Sequence, residues 1–211
     1  MDRDDLQLLD YCIAHTTLEP PLLYDLERET YLKTLAPQMS SGHLQGQFLR
    51  FISKIKKPES ILEIGTFTGY SAICLASGLE VGGVLHTIEV NEELETIIMK
   101  YIEMASLKSK INLHIGDAKE IIPKLNLRYD IVFIDAGKID YAYYYDLVFD
   151  RVNTDGLIIA DNVLWSGKVM EKKQKKDASL LDAFNNKIHA DERVENILLP
   201  IRDGLLLARK I

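Results

Sequence analysis

The chain has 211 residues, 47% of them hydrophobic and 27% charged, with a formal net charge of −7 at pH 7. That length fits one α/β domain with a full core, and the negative balance works against non-specific nucleic-acid binding, which depends on neutralising phosphates. No apolar run approaches the ~18 residues needed to span a bilayer, and the acidic, polar start MDRDDLQLLD is neither a signal nor a transit peptide, so a cytoplasmic protein is expected.

Residues 4–54 carry helical periodicity: Leu6, Leu9 and Ile13, then Leu22 and Leu26, with Pro20-Pro21 between two helices. A break at Pro37 and the segment Met39-Ser40-Ser41-Gly42 precede a third helix with Phe48, Leu49, Ile52 and Ile55 on one face. Such an extension either covers a pocket or makes a subunit contact. Cys12 and Cys74 are far apart, fall in helical patterns without CxxC spacing and read as two reduced thiols. The five histidines show neither HxH nor HxxxH spacing, so any metal is expected on oxygen ligands.

From Ser60 strands alternate with helices, which means βαβ units and a parallel sheet covered on both faces. The expected strands are Ser60–Ile64, Val84–Val90, Ile111–Ile115, Asp130–Asp135, Leu157–Ala160, Val194–Ile201 and Gly204–Lys210. The intervening helices are expected near Tyr70–Gly78, Glu92–Ser106, Ala118–Leu125, Ala142–Val152 and Ser179–His189. Only Arg202-Asp203-Gly204 separates the last two strands, too short for a crossover, so the final strand runs antiparallel. The expected fold is a doubly wound Rossmann-like sheet of the methyltransferase variant. It is seven-stranded and mostly parallel, with an antiparallel C-terminal hairpin. It is read as one domain over 1–211: N-terminal helices over 1–57 and a cofactor-binding α/β core over 58–211. The run Lys172-Lys173-Gln174-Lys175-Lys176 reads as a solvated loop, with an anion-contacting loop as the alternative.

Three strand ends suggest a nucleoside cofactor. In LEIGTFTGYS, Gly65 permits a tight turn and Gly69 a close backbone approach at a helix N-terminus, without the GxGxxG spacing of a pyrophosphate site. Glu63, in the strand itself, is costly to bury unless a donor such as an α-amino group faces it. Glu89 ends the next strand, where an acid can accept both ribose hydroxyls; capping the following helix is its alternative, although Asn91 already suits that role. In Gly116-Asp117-Ala118, Asp117 either meets an adenine amino group or caps a helix. Partners for amine, ribose and adenine without a pyrophosphate site describe S-adenosylmethionine better than NAD.

The chemistry is expected where YDIVFIDAGKIDY ends. Ile131–Ile134 is an unbroken apolar strand that runs into Asp135, and Asp161-Asn162 close the next strand. Two carboxylates and an amide carbonyl on neighbouring strand ends suit Mg²⁺, Mn²⁺ or Ca²⁺, although each could be an ordinary turn residue. Lys138, three residues past Asp135, is the candidate base, since a bound dication beside a lysine favours the neutral amine.

Together these residues resemble the cation-dependent O-methyltransferases of the catechol and caffeoyl-CoA type. The likeness runs through MSSGHLQGQFL, LEIGTFTGYSA, TIEVN, GDA, FIDAGKIDY, IIADNVLWSG and LPIRDGLLLARK. It implies that Ser41, Glu63, Gly65, Thr66, Ser71, Glu89, Ala118 and Asp135 line the cofactor site, that Asp135, Asp161 and Asn162 hold the metal, that Lys138 is the base, and that Trp165 borders the acceptor pocket. It also implies a homodimer acting on a small aromatic diol. Family members often read DADKDNY where this chain has Asp135-Ala136-Gly137-Lys138-Ile139-Asp140-Tyr141. With two acids replaced, Lys138 is expected to have few salt bridges when no metal is bound, and a persistent carboxylate pair would count against a poised base. An RNA methyltransferase of the same fold and a non-catalytic nucleoside-binding module are the competing readings.

Overall fold

The computed structural model describes residues 3–211, with side chains from residue 7 onward; Met1, Asp2 and the Leu6 side chain lie outside that description. Three helices come first: α1 (Arg3–Ala14), α2 (Pro21–Lys33) and α3 (Gly42–Lys56). Pro21 opens α2 at a position where its missing N–H costs nothing, and α3 ends on Lys57 in the left-handed region at φ 49°. Seven strands follow: β1 (Ser60–Ile64), β2 (Val84–Glu89), β3 (Ile111–Ile115), β4 (Tyr129–Ile134), β5 (Val152–Asp161), β6 (Val194–Leu199) and β7 (Leu205–Lys210). Between them lie α4 (Tyr70–Ala76), α5 (Glu95–Met104), α6 (Ala118–Ile121), α7 (Tyr141–Phe149) and α8 (Lys176–His189).

The strands form one sheet in the order β3-β2-β1-β4-β5-β7-β6, with β7 antiparallel to both of its neighbours. The mostly parallel sheet and its antiparallel hairpin are therefore as expected. β5 begins earlier than its apolar run indicated. Its first residues, Val152–Gly156, join the sheet through a register shift opposite Tyr129 and Ile131, with Asp155 at φ 61°. A polar, bulged segment of this kind carries no apolar signal. The helix after β3 is shorter than expected and passes into a 3-10 turn at Ile122–Lys124, where Pro123 cannot extend the α-helical ladder.

Alternation along the strands divides the core. Leu62, Ile64, Val132 and Ile134 face α6, α7 and α8, whereas Ile61, Ile131 and Phe133 face α2 to α5. All four residues of Ile131–Ile134 are fully buried, each contributing about 1.5–3 kcal/mol relative to exposure. That rigid strand fixes where its C-terminal loop begins. Chain order reverses between β1 and β4, which creates the crevice at the carboxyl ends where such sheets bind ligands.

Candidate active site

The β1 and β4 ends touch at this crevice. Asp135 N–H donates to the Ile64 carbonyl at 2.9 Å, and a Cβ at Gly65, whose φ is 99°, would overlap the Asp135 carbonyl. Only glycine fits there, so Gly65 is required by the close approach as well as by its backbone conformation. Ser41, Gly65, Thr66, Ser71 and Asp135 line one cleft together with Met39, Ser40, Phe67, Thr68 and Tyr70.

Glu63 lies beneath this cleft and is fully buried. Its Oε2 accepts from Thr87 Oγ1 at 2.5 Å, and Thr87 meets Thr66 Oγ1 at 2.5 Å, while Oε1 has no partner. Burial pushes its carboxyl up to about 8; the Ser71 and Thr87 hydroxyls oppose this, and the Asp135 and Glu89 charges add to it. Glu89, 7% exposed, accepts Phe67 N–H and Asn91 N–H, each at 2.8 Å. A carboxylate has about four acceptor positions, so two remain for a ligand. Asn91 caps the turn after Glu89, as expected, by accepting Glu93 N–H. Asp117 is exposed and caps α6 by accepting Lys119 N–H at 2.8 Å, and Ala118 is packed into the core at the start of α6.

The second group lies at the ends of β4 and β5. Lys138 Nζ donates to Asp135 Oδ1 at 3.1 Å, Asn162 Oδ1 at 2.7 Å and Tyr141 Oη at 2.6 Å, and Tyr141 Oη donates to the Asp161 carbonyl at 2.9 Å. Only one of these three contacts is a salt bridge, as expected of this loop, but it is a carboxylate pair. The loop acids replaced by Gly137 and Ile139 are immaterial, because the loop folds the amine back onto Asp135 itself. Asp140, the remaining loop acid, pairs with Lys119 at 2.9 Å. The Asp135–Lys138 pair is the contact expected to count against a poised base.

Asp161 is 2% exposed. Its Oδ2 accepts Gln45 Nε2 at 2.7 Å, and its Oδ1 accepts Asn162 N–H at 2.6 Å. Burial, with the Asp135 charge beside it, pushes the carboxyl up to about 7. Asp135 and Asn162 meet at the Lys138 amine, and the Asp161 carboxyl lies beside Asp135, so two carboxyls and an amide oxygen with spare lone pairs are grouped at these strand ends. That donor set fits a hard divalent cation. Among the described residues no three His, Cys, Asp or Glu side chains converge for a metal, so such a site depends on the Asn162 amide.

Sequence patterning missed Gln45 and Tyr141 as partners of this cluster. Gln45 is 116 residues from Asp161 and only packing of α3 across the sheet joins them. Tyr141 closes the FIDAGKIDY segment, but nothing in its spacing indicates that its hydroxyl meets Lys138. His86 and His114 also come within 2.9 Å of each other on β2 and β3, although no local spacing links them. A groove of about 690 Å³ on the outer side of α3, bordered by Leu18, Leu44, Phe48 and Phe51, contains none of the predicted site residues. Trp165 is half-buried in the turn after Asn162, packed against the core. Cys12 and Cys74 are both free, Cys74 buried and Cys12 only partly so. Lys172, Lys173 and Lys175 are exposed, and Lys176 begins α8.

Comparison with known proteins points the same way. A family model described as O-methyltransferase matches residues 13–211. Caffeoyl-CoA O-methyltransferase 5 of Nicotiana tabacum is 32% identical over 206 residues, covering 92% of this chain and 85% of its own. Caffeoyl-CoA O-methyltransferase 2 of Petunia hybrida is 33% identical over 186 residues, covering 82% and 77%. The O-methyltransferase of Bacillus cereus, solved in complex with SAH, superimposes with a TM-score of 0.88 at 27% identity over 96% of each chain. An SAH-bound methyltransferase of Podospora anserina shares the fold, with a TM-score of 0.91 at 24% identity over 100% of this chain and 97% of that one.

Proposed function

The chain belongs to the O-methyltransferase family and is an S-adenosylmethionine-dependent O-methyltransferase, and from that premise we propose that it methylates one hydroxyl of a vicinal diol on an aromatic ring, assisted by a divalent cation. The observation that carries this reading is the convergence of Asp135, Asn162 and Lys138, with buried Asp161 alongside, at the rim of a cleft over Glu63. Relatives named for caffeoyl-CoA support an aromatic acceptor. Mg²⁺ is the first choice of cation, with Mn²⁺ or Ca²⁺ as substitutes.

Glu63 Oε1 supplies an acceptor for the cofactor's α-amino group, and Glu89 supplies acceptors for its ribose hydroxyls. Ser41, Gly65, Thr66 and Ser71 form the walls of the same cleft, and Ala118, at the start of α6, is assigned to the adenine side. Asp135, Asp161 and Asn162 would hold the cation, whose contribution is to acidify bound hydroxyls. The oxygens of Asp135 and Asn162 that now hold the Lys138 ammonium belong to this same set. Lys138 can accept a proton only when those oxygens are otherwise engaged. Once its ammonium has given up a proton to solvent, the neutral amine takes the acceptor's hydroxyl proton, the acceptor oxygen forms its bond to the methyl carbon, and the sulfur–methyl bond breaks to leave S-adenosylhomocysteine. Positioning of the two reactants supplies much of the acceleration. Trp165 offers its ring as a face for the aromatic acceptor.

An acceptor screen with and without Mg²⁺, reading S-adenosylhomocysteine release, tests the proposal. Turnover of catechols only with the cation is expected; methylation of RNA but not of catechols would overturn it. The division into a helical 1–57 and a cofactor-binding 58–211 belongs to the same proposal. So does a homodimer, supported by exposed Leu18, Leu32, Leu35, Phe51 and Ile55 on the N-terminal helices and their connections; a monomeric mass in sedimentation would remove that part. No helix among the described residues is long and apolar enough to cross a membrane. A cytoplasmic location is proposed with support from the two free thiols, and cell fractionation tests it.

Glu63 gives a pH signature. Its folded value of about 8 lies above the ordinary 4.5, so the stability it contributes is complete below 4.5 and is lost as pH rises through 8. At pH 6.5 the ligand-free carboxyl is protonated, and pairing with an ammonium ionises it. Calorimetry of S-adenosylhomocysteine binding in buffers of different ionisation enthalpy is expected to show release of about one proton at pH 6.5, declining above pH 8. Glu63→Gln is expected to abolish the release, and an unchanged value would remove Glu63 from the amine site.

A further inference from the structure

The turn between β6 and β7 touches two segments through two adjacent residues, one that lines the cleft and one that follows Asn162. On one side, the Arg202 guanidinium donates to the Ser40 carbonyl at 2.7 Å, the Gln38 carbonyl at 3.1 Å and the Ser41 carbonyl. Ser40 and Ser41 line the cleft that holds Gly65 and Asp135. On the other side, Asp203 accepts Ser166 N–H on its carboxylate and Leu164 N–H, at 2.8 Å, on its carbonyl. That second segment begins at Asn162, whose Oδ1 holds Lys138, and it carries Trp165.

Backbone strain gathers at the same place. Arg202 has φ 51°, and Asn162, Trp165 and Ser166 have φ 56°, 49° and 53°. Non-glycine residues are disfavoured in the left-handed region, and they persist there only where the surroundings over-determine them. Three carbonyl acceptors on one guanidinium, and two acceptors from one aspartate, are that over-determination.

We propose that Arg202 and Asp203 are positioning residues that separately hold the two lips of the methyl-transfer site, Arg202 the cofactor lip at Gln38–Ser41 and Asp203 the acceptor lip at Val163–Gly167. The assignment rests on the cofactor and acceptor sides proposed above. Neither residue touches the reacting atoms. Each works through main-chain groups, so the two effects separate.

Trp165 is the chain's only tryptophan, so its fluorescence reports the acceptor lip without any acceptor, cation or turnover. Arg202→Gly removes the guanidinium while suiting a positive φ, so the turn itself is retained. It is expected to weaken S-adenosylhomocysteine binding about tenfold, as loss of charge-assisted hydrogen bonds does, and to leave acrylamide quenching of Trp165 unchanged. Asp203→Ala is expected to do the reverse: quenching rises about twofold as the segment opens, with S-adenosylhomocysteine affinity preserved. Asp203→Asn keeps an acceptor oxygen for Ser166 N–H and is expected to restore wild-type quenching. Arg202→Lys, retaining charge but not the fork, is expected to bind with intermediate affinity and serves if the glycine variant does not fold. Both readouts moving together in either variant, or neither moving, would overturn the proposal. Failure of the wild-type chain to bind S-adenosylhomocysteine would instead count against the cofactor reading itself.

Discussion

Lys138→Ala is expected to lower kcat by about 10²–10⁴-fold, the usual contribution of a positioned general base, while S-adenosylhomocysteine binds as in the wild-type chain. The separation follows from the geometry. Lys138 contacts Asp135, Asn162 and Tyr141, the group at the ends of β4 and β5, whereas the cofactor acceptors are Glu63 within β1 and Glu89 at the end of β2. Lys138→Arg keeps the cation but cannot deprotonate at working pH, so it is expected to fall as far as the alanine variant. A loss of less than about tenfold in both would mean that Lys138 only anchors the loop. Tyr141→Phe removes one of the three contacts without touching either carboxylate. A fall in kcat there, with unchanged cofactor affinity, would show that the hydroxyl positions the amine.

Asp161→Asn is expected to abolish cation-dependent turnover and yet to stabilise the ligand-free protein above neutral pH. The Asp161 carboxyl is raised from 3.8 to about 7. A raised acid contributes stability that is complete below its unfolded value and lost as pH climbs through the folded value, here from about 4 through about 7. At pH 8 the wild-type chain therefore carries an ionised, buried carboxylate next to Asp135. The amide removes that charge, and Gln45, whose Oε1 has no partner, can turn to accept from it. A gain on the order of 1–3 kcal/mol is expected, or roughly 3–10 °C in Tm for a chain of this size. Mg²⁺ is expected to raise the wild-type Tm at pH 8 and not that of the variant. Thermal denaturation with Mg²⁺ and with EDTA measures both effects. Equal Mg²⁺ responses in the two proteins would remove Asp161 from the cation site.

Much of this site is legible along the chain because the fold places chemistry at strand ends. The apolar run Ile131–Ile134 locates β4 to within a residue, and Asp135 must follow it. Glu63 is recognisable because a carboxylate inside an apolar strand has to meet a donor. The Arg202-Asp203-Gly204 turn similarly fixes the sense of β7, since no crossover fits in so few residues. Where polar residues bulge into the sheet, as at Val152–Gly156, the periodicity is silent and the strand begins before its apolar run.

Local sequence thus determined the elements, their order and the residue types available at each strand end, because periodicity and turn chemistry are short-range properties. The partnerships were decided by tertiary structure alone. Lys138 meets Asp135 within its own loop, and packing of β4 against β5 adds Asn162. Gln45 reaches Asp161 across 116 residues because α3 lies over the sheet. Arg202 and Asp203 meet two different loops because β7 inserts beside β5. Side-chain charge is written in the sequence, but the charge that each residue faces depends on which distant backbone segment packing brings within about 3 Å.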